Sequence, residues 1–332
     1  MLMFDPTPEN PLSAPDQALV ALLRALKARR YVFVTPTPAT HARIRAREPT
    51  RDAADLRDAL GWNMPFAKDL LDPEIRDLLD AAGALDRFRD GRWKCTLRVS
   101  SLGTDLYLHS SYPTISEDAV FFGPDSYRFA SLVQRELAPL ALADGCHLVD
   151  IGTGSGVGAI TAAQVQPGLQ LTMTDINPNA LRLARINACA AGIRVRSVQG
   201  ETLDGVRGPI DIALANPPYM IDRKARAYRD GGDMHGGQVA YDMAVATVER
   251  LSSGGKFILY TGSAILRGQD HLREALGAMA SGYDCDLRYR EIDPDVFGEE
   301  LETDAYAAVE RIALISAVFT RHGQKARTAN AR

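Results

Sequence analysis

The sequence predicts an α/β protein in which a mainly parallel sheet, covered by helices on both faces, follows a smaller α+β module. Three observations lead there. From about residue 129, helical and strand patterns alternate along the chain, as in a parallel sheet with crossover helices. Two strand patterns end in turns of unusual composition, Asp150-Ile-Gly-Thr-Gly-Ser-Gly156 and Asn216-Pro-Pro-Tyr219. Such turns fall at the sheet edge where open α/β folds bind ligands. Ahead of residue 113 the period instead shifts from helical to two-residue within a short span, which marks a small module of its own.

The 332 residues suffice for one large or two ordinary domains, and 46% hydrophobic with 24% charged residues describe a globular chain. A net charge of −4 excludes a general polyanion binder and leaves room for a local basic face. Cys95, Cys146, Cys189 and Cys285 are scattered and form no C-x-x-C pair. They read as reduced thiols of a cytoplasmic protein, not as a disulfide frame or zinc site. The histidines show no metal spacing, so no metal is expected. No stretch approaches the roughly 20 apolar residues of a membrane helix, and the N-terminus has no signal-peptide pattern, so no membrane contact is expected.

In chain order, residues 1–15, rich in Pro and polar residues, read as a flexible arm. Ala18, Leu19, Leu22, Leu23 and Leu26 give a helix from Asp16 to about Arg30. Residues 35–50 hold Thr-Pro-Thr-Pro-Ala-Thr-His and then Arg43, Arg45 and Arg47; Arg51 to Leu60 reads as a second helix. Asp72-Pro73-Glu74 starts a third, with Asp at the N-cap and Pro at the first helical position. Trp93–Val99 and Asp105–Ser110 flank Ser-Ser-Leu-Gly-Thr, a hairpin with a Gly-bearing turn. Helices followed by a hairpin over residues 16–112 suggest a winged-helix-like substrate-recognition domain; a plain α+β cap is the alternative. Residues 113–128 form the join, either a lid over the site or a hydrophobic strap. Residues 129–321 carry the alternation, with helices at 128–142, 156–166, 178–191, 238–252 and 267–280. The strands are His147–Ile151, Leu169–Asp175, Ile193–Val198, Ile210–Ala215, Lys256–Thr261, Asp284–Glu291 and Ile312–Phe319. Residues 322–332 are polar and basic, a tail expected to be disordered.

The glycines after the first strand let the backbone turn tightly and approach a ligand. The third Gly of a dinucleotide fingerprint is Val157 here, which disfavours a pyrophosphate cofactor. Asp175 ends the next strand, where a carboxylate can accept from ribose hydroxyls; the capping of the following helix then falls to Asn177. Glu201, after the third strand, could meet an adenine edge. Asn216 offers an amide carbonyl, Pro217 a backbone carbonyl and Tyr219 a flat ring, held rigid by two prolines. The charged, Gly-rich stretch behind Tyr219 reads as a substrate lid, with Arg223, Lys224, Arg226 and Tyr228 in it. Arg229, Asp230 and His235 there, with Phe122 and Tyr127 from the join, are candidate substrate contacts. Asp293–Glu300 is an acidic loop, which speaks against a large polyanion docking beside it.

Asp150–Gly156, Asp175 and Asn216–Tyr219, in this order, resemble the class I S-adenosylmethionine-dependent methyltransferases of the Asn-Pro-Pro-Tyr type over about residues 120–320. The resemblance implies a Rossmann-like sheet of seven strands with an antiparallel last strand, which Ile312–Phe319 can supply. It implies S-adenosyl-L-methionine as cofactor, held by Asp150, Gly152, Thr153, Gly154, Ser155, Gly156, Asp175, Ile176, Glu201 and Asn216. It gives catalysis to Asn216, Pro217, Pro218 and Tyr219. Enzymes of this type methylate nitrogens conjugated to a planar system. Hydrogen bonds from such an NH2 group to the carbonyls of Asn216 and Pro217 would favour a tetrahedral nitrogen, its lone pair facing the methyl, while Tyr219 stacks on the plane. The broad resemblance is to HemK-like protein-glutamine methyltransferases of translation release factors; their Pro-Arg-Pro-Glu-Thr segment is replaced here by Phe122-Gly-Pro-Asp-Ser-Tyr127. A glutamine side-chain amide of a protein is therefore one expected acceptor. An exocyclic amine of an rRNA, tRNA or DNA base is the rival, so the partner is a protein or RNA. A small-molecule methyltransferase or a non-catalytic cofactor-binding protein completes the alternatives.

Overall fold

A computed structural model of the chain describes residues 11–114, 116–222 and 229–323. The first ten residues of the expected arm, the tail beyond residue 323, and Arg223, Lys224, Arg226 and Tyr228 of the expected lid lie outside the described residues.

Helix α1 (Ala14–Ala28) starts at Ser13, whose Oγ accepts from the Asp16 N–H at 3.3 Å, and buries Leu19, Leu22, Leu23 and Leu26. Helix α2 (Pro38–Arg47) starts the same way: Thr37 Oγ1 accepts from the Thr40 N–H at 3.2 Å and Pro38 fills the first position. This corrects the expected second helix at Arg51–Leu60. The helix lies upstream, Pro49 bars its continuation, and Arg57–Gly61 makes only a π-helical turn. A Thr-Pro pair works here as a start signal. Strand β1 (Phe66–Ala67) leads to α3 (Pro73–Ala81), capped by Asp72 Oδ1 on the Ile75 N–H at 3.1 Å, as its sequence predicts. Strands β2 (Leu85–Arg87) and β3 (Arg92–Cys95) follow, and β3 pairs antiparallel with both β1 and β2. Trp93–Cys95 thus belongs to this small sheet. The expected hairpin shortens to β4 (Leu97–Leu102) and β5 (Asp105–Ser110), joined at Gly103-Thr104.

A strap then leads to α4 (Pro124–Leu137), which begins at Pro124 instead of residue 128. The remaining elements are β6 (His147–Ile151), α5 (Val157–Val165), β7 (Gln170–Asp175), α6 (Pro178–Ala190), β8 (Arg196–Gln199) and β9 (Ile210–Ala215). After them come a short α7 (Asp233–Gly236), α8 (Gln238–Val248), β10 (Leu251–Leu266), β11 (Gln269–Asp270), α9 (His271–Gly282), β12 (Cys285–Asp293) and β13 (Arg311–Arg321). The large sheet runs β12-β13-β10-β9-β6-β7-β8, with β11 added on β10. From β8 to β10 the pairs are parallel, and β13 lies antiparallel between β10 and β12. This is the Rossmann-like sheet with an antiparallel last strand that the sequence motifs imply. The chain moves outward from β6 through β7 to β8, then crosses back to β9. The crevice between β6 and β9 is therefore the switch point where such sheets bind ligands.

One sheet face packs Phe129, Val133, Ile160, Ile258 and Tyr260; the other packs Ala244, Phe257, Leu259, Leu276 and Phe319. The N-terminal helices join a third cluster, in which Leu19, Leu22 and Leu23 meet Leu183 and Ile186 of α6. Phe122 is fully buried between the rings of Tyr107 and His109, with centroids at 5.1 and 5.5 Å, and meets Tyr127 edge-on at 5.3 Å. The expected substrate contact at Phe122 is corrected to a core position, because nothing of it reaches solvent. Phe122→Ala should accordingly lower the free energy of unfolding by about 3–5 kcal/mol in denaturant titrations. A loss below about 1 kcal/mol, the size of a surface effect, would contradict the core placement.

Candidate active site

Strand register assembles the site. Ile151 pairs with Thr174 of β7 and with Ala215 of β9, so Gly152, Asp175 and Asn216 emerge side by side one residue further on. The turn after β6 takes left-handed backbone at Gly152, Gly154 and Gly156 (φ 61°, 55° and 82°). A Cβ placed on Gly152 would meet nothing within 4 Å, so open space lies above the loop.

Asp150 is buried below that loop. Its Oδ2 accepts from Thr153 Oγ1 at 2.6 Å and from the Ala159 N–H at 2.9 Å, which ties the loop to the start of α5. Gly158 makes room for it: a Cβ there would lie 2.6 Å from Asp150 Oδ1. Burial pushes the Asp150 carboxyl up to about 7. Asp175 is half-buried. Its Oδ2 accepts from the Gly154 N–H and its Oδ1 from the Asn177 N–H, both at 2.9 Å. A carboxylate has about four lone-pair sites, so each oxygen keeps capacity for a further donor. Ile176 beside it is 50% exposed, and Glu201 stands exposed past the end of β8. Thr153 and Ser155 are buried in the loop; the Ser155 carbonyl accepts from Asn187 Nδ2 at 2.9 Å.

Across the crevice, the Asn216 side chain is half-buried and engages no partner among the described residues. Tyr219 is held on all sides. Its hydroxyl donates to Asp125 Oδ2, while the Tyr260 hydroxyl donates to Asp125 Oδ1 at 3.1 Å. Gly262 lets the ring approach β10, since a Cβ there would lie 2.3 Å from the Tyr219 ring. Gly236 (φ 92°) does the same for the backbone, where a Cβ would lie 2.3 Å from the Tyr219 carbonyl oxygen. With 6% exposure, Tyr219 braces the turn; the expectation of an open stacking face is corrected accordingly. Burial raises the Asp125 carboxyl and the Tyr219 phenol above their usual ranges. Arg128 stands 3.6 Å from Asp125 and bonds Asp293 at 3.2 Å.

The expected lid residues are partly committed elsewhere. Arg229 pairs with Glu300, and Asp230 Oδ1 accepts from the Asp222 and Gly232 N–H groups at 3.3 Å each. The acids of the Asp293–Glu300 loop thus neutralise neighbouring arginines. Tyr127 accepts at its hydroxyl from the Thr35 N–H at 3.1 Å, a strut to the N-terminal part. His235, in left-handed backbone after Met234, lines a cavity of about 130 Å³ with Ser263, His271 and Leu272. Sequence reasoning missed Asp125, Tyr260 and Asn187. Gly-Pro-Asp signals a helix start, and nothing in it shows that Asp125 faces one tyrosine from the turn after β9 and another from β10.

Residues 130–282 match the family described as methyltransferase small domain. That match covers just under half of the chain. The chain is similar to the release factor glutamine methyltransferase of Deinococcus radiodurans, 37% identical over 89 residues, covering 27% of this chain and 32% of the relative. The one of Chlorobaculum tepidum is 44% identical over 85 residues, covering 24% and 29%. A ribosomal RNA small subunit methyltransferase C of Pseudomonas entomophila is 28% identical over 142 residues, covering 43% and 38%. The chain spans about a third of the length of these relatives. The matched residues include the Gly-rich loop, Asp175 and the Asn216 turn, and start just beyond Asp125. Among the described residues no helix is long and apolar enough to cross a membrane, and no cluster of three metal-ligating side chains occurs.

One consequence is testable without any ligand. The Asp150 carboxyl sits at about 7 in the folded chain and near 3.9 when unfolded. Between those values the native state binds more protons than the unfolded one, so this group makes stability fall as pH rises. Asp150→Asn removes that proton. Urea unfolding should show the variant gaining on the wild type from about pH 4 to about pH 8; parallel pH profiles would contradict the assignment.

Proposed function

We propose that this chain transfers the methyl group of S-adenosyl-L-methionine to a planar, conjugated nitrogen. The observation that carries the reading is an unengaged amide, Asn216, facing an open glycine cradle across one strand crevice. The residues fit the cofactor: Gly152 leaves space above the loop, Asp175 keeps acceptor capacity for ribose hydroxyls, and Ile176 offers an apolar surface for a purine. When bound, the cofactor supplies an electrophilic methyl group. The chain's own residues do the rest. The Asn216 and Pro217 carbonyls accept the two N–H groups of the acceptor and favour a tetrahedral nitrogen, which frees its lone pair. Pro217 and Pro218 fix the backbone, and Tyr219, anchored to Asp125, prevents the turn from rotating. No strong base is required, because the proton becomes acidic once the nitrogen is alkylated.

For the acceptor, a protein glutamine amide is the first reading. It is supported by the similarity to proteins named release factor glutamine methyltransferase. An exocyclic amine of a nucleic-acid base is the second reading, favoured by unneutralised cations at Arg45, Lys94 and Arg98.

Asn216→Ala should reduce turnover by about 10²–10³-fold, the usual loss for a preorganised polar group, with donor affinity retained. Asp175→Ala should instead weaken donor binding by about 1.5–3 kcal/mol in calorimetry. The opposite pattern would overturn both roles. Asp125→Asn should lower kcat while donor affinity and acceptor KM stay within about twofold, as for a group that aims the turn without touching substrate. An unchanged kcat would remove Asp125 from the mechanism.

A further inference from the structure

We infer that Arg45, Lys94 and Arg98 form a phosphate-binding site between the N-terminal module and the strap that leads to the catalytic domain. Arg98 is 3% exposed and no described carboxylate pairs with it. Its Nε donates to the Ser110 carbonyl at 3.0 Å and its Nη1 points at His41 Nδ1 at 3.5 Å. His41 serves as a neutral acceptor there. It donates from Nε2 to the Trp62 carbonyl at 3.1 Å, stacks on Tyr112 with centroids at 3.9 Å, and burial lowers its pKa to about 4. Lys94 donates to the Tyr112 carbonyl at 2.8 Å and has two N–H groups left. Arg45, one helical turn beyond His41 on α2, has a fully buried Nη1 without a partner.

Like charges gathered in a half-buried place raise the energy of the fold unless an anion joins them. Burial and the charges of Arg45 and Arg98 together pull the Lys94 pKa down. The exposed Asp86 lies opposite Lys94 across β2 and β3 and forms no ion pair with it. Two planar guanidiniums and an ammonium gathered about the stacked His41–Tyr112 pair match the double charge of phosphate better than the single charge of a carboxylate. The strap gives the site its meaning. Its base is closed by the Ser110–Val120 hydrogen bonds, and near its far end the Asp118 carbonyl accepts from Asn177 Nδ2 at 2.9 Å, next to Asp175. A phosphate bound at Tyr112 would therefore hold the segment that borders the cofactor crevice.

The test is independent of methyl transfer. Calorimetric titration of the full chain with inorganic phosphate should show saturable binding, and phosphate should raise the melting temperature. Arg45→Ala, which breaks no described hydrogen bond, should weaken that binding by about tenfold or more, the loss of a charge-assisted contact. Arg43→Ala, exposed on the same helix, should leave it unchanged. Competition distinguishes the source: displacement of phosphate by adenosine 5′-monophosphate points to a free nucleotide, and by a single-stranded oligoribonucleotide to a nucleic-acid backbone. Absence of saturable phosphate binding, or equal losses in Arg43→Ala and Arg45→Ala, would overturn the site. Donor affinity measured on the same variants keeps that failure separate from failure of the methyltransferase reading.

Discussion

The Asp125 carboxylate is the constraint on which the acceptor side of the crevice depends. It sits at the start of α4, upstream of the residues that match the methyltransferase family, and receives hydroxyls from Tyr219 and Tyr260. A buried carboxylate with two phenolic donors and an arginine nearby is satisfied; with either tyrosine lost it would be costly. The turn bearing Asn216 thus cannot drift without exposing an unpaired buried acceptor. Rigidity matters because hydrogen-bond acceptors stabilise a changing nitrogen only when they are already in place. The glycines at 236 and 262 serve the same end, since they allow backbone and β10 to close on Tyr219 where a side chain would collide.

The donor side is held by a different device. Asn187, fully buried on α6, accepts from the Leu108 N–H at 2.8 Å and donates to the Leu108 carbonyl at 3.1 Å, so it reads both polar groups of one residue in β5. The same amide donates to the Ser155 carbonyl in the Gly-rich loop. One side chain therefore couples the hairpin to the cradle, and the apolar contacts of α1 with α6 extend that seam. The N-terminal part is for this reason continuous with the catalytic core and not a module on a free tether. Movement of the hairpin would be felt at the loop.

Much of this was legible in the sequence where local chemistry decides structure. Asp72-Pro73 announced its helix, and the alternation after residue 129 announced the sheet, because caps and periodicity act within a few residues. The three motifs at strand ends could be placed because strand register carries them to one edge. What was not legible depends on partners remote in sequence. The Thr37-Pro38 cap was passed over because the same dipeptide also breaks helices, and the true stop came at Pro49. Phe122 and Tyr219 looked like ligand-facing aromatics, yet aromatic residues beside a site are as readily its walls, and only packing against Tyr107 or Gly262 decides. Asp125 could not be read from spacing at all, since its two donors come from the turn after β9 and from β10, both remote in sequence.

The charges show why the N-terminal part resists a reading from composition. On α3 the exposed acids are paired with Arg29, Arg76 and Arg87, whereas no described carboxylate pairs with Arg45, Lys94 or Arg98 beside the strap, so the sum conceals a segregated arrangement. Exposed ion pairs are screened by solvent and salt, while half-buried cations are screened less. The strap then links recognition to chemistry, because the segment that the cations grip runs on, through Asn177, to the carboxylate of Asp175.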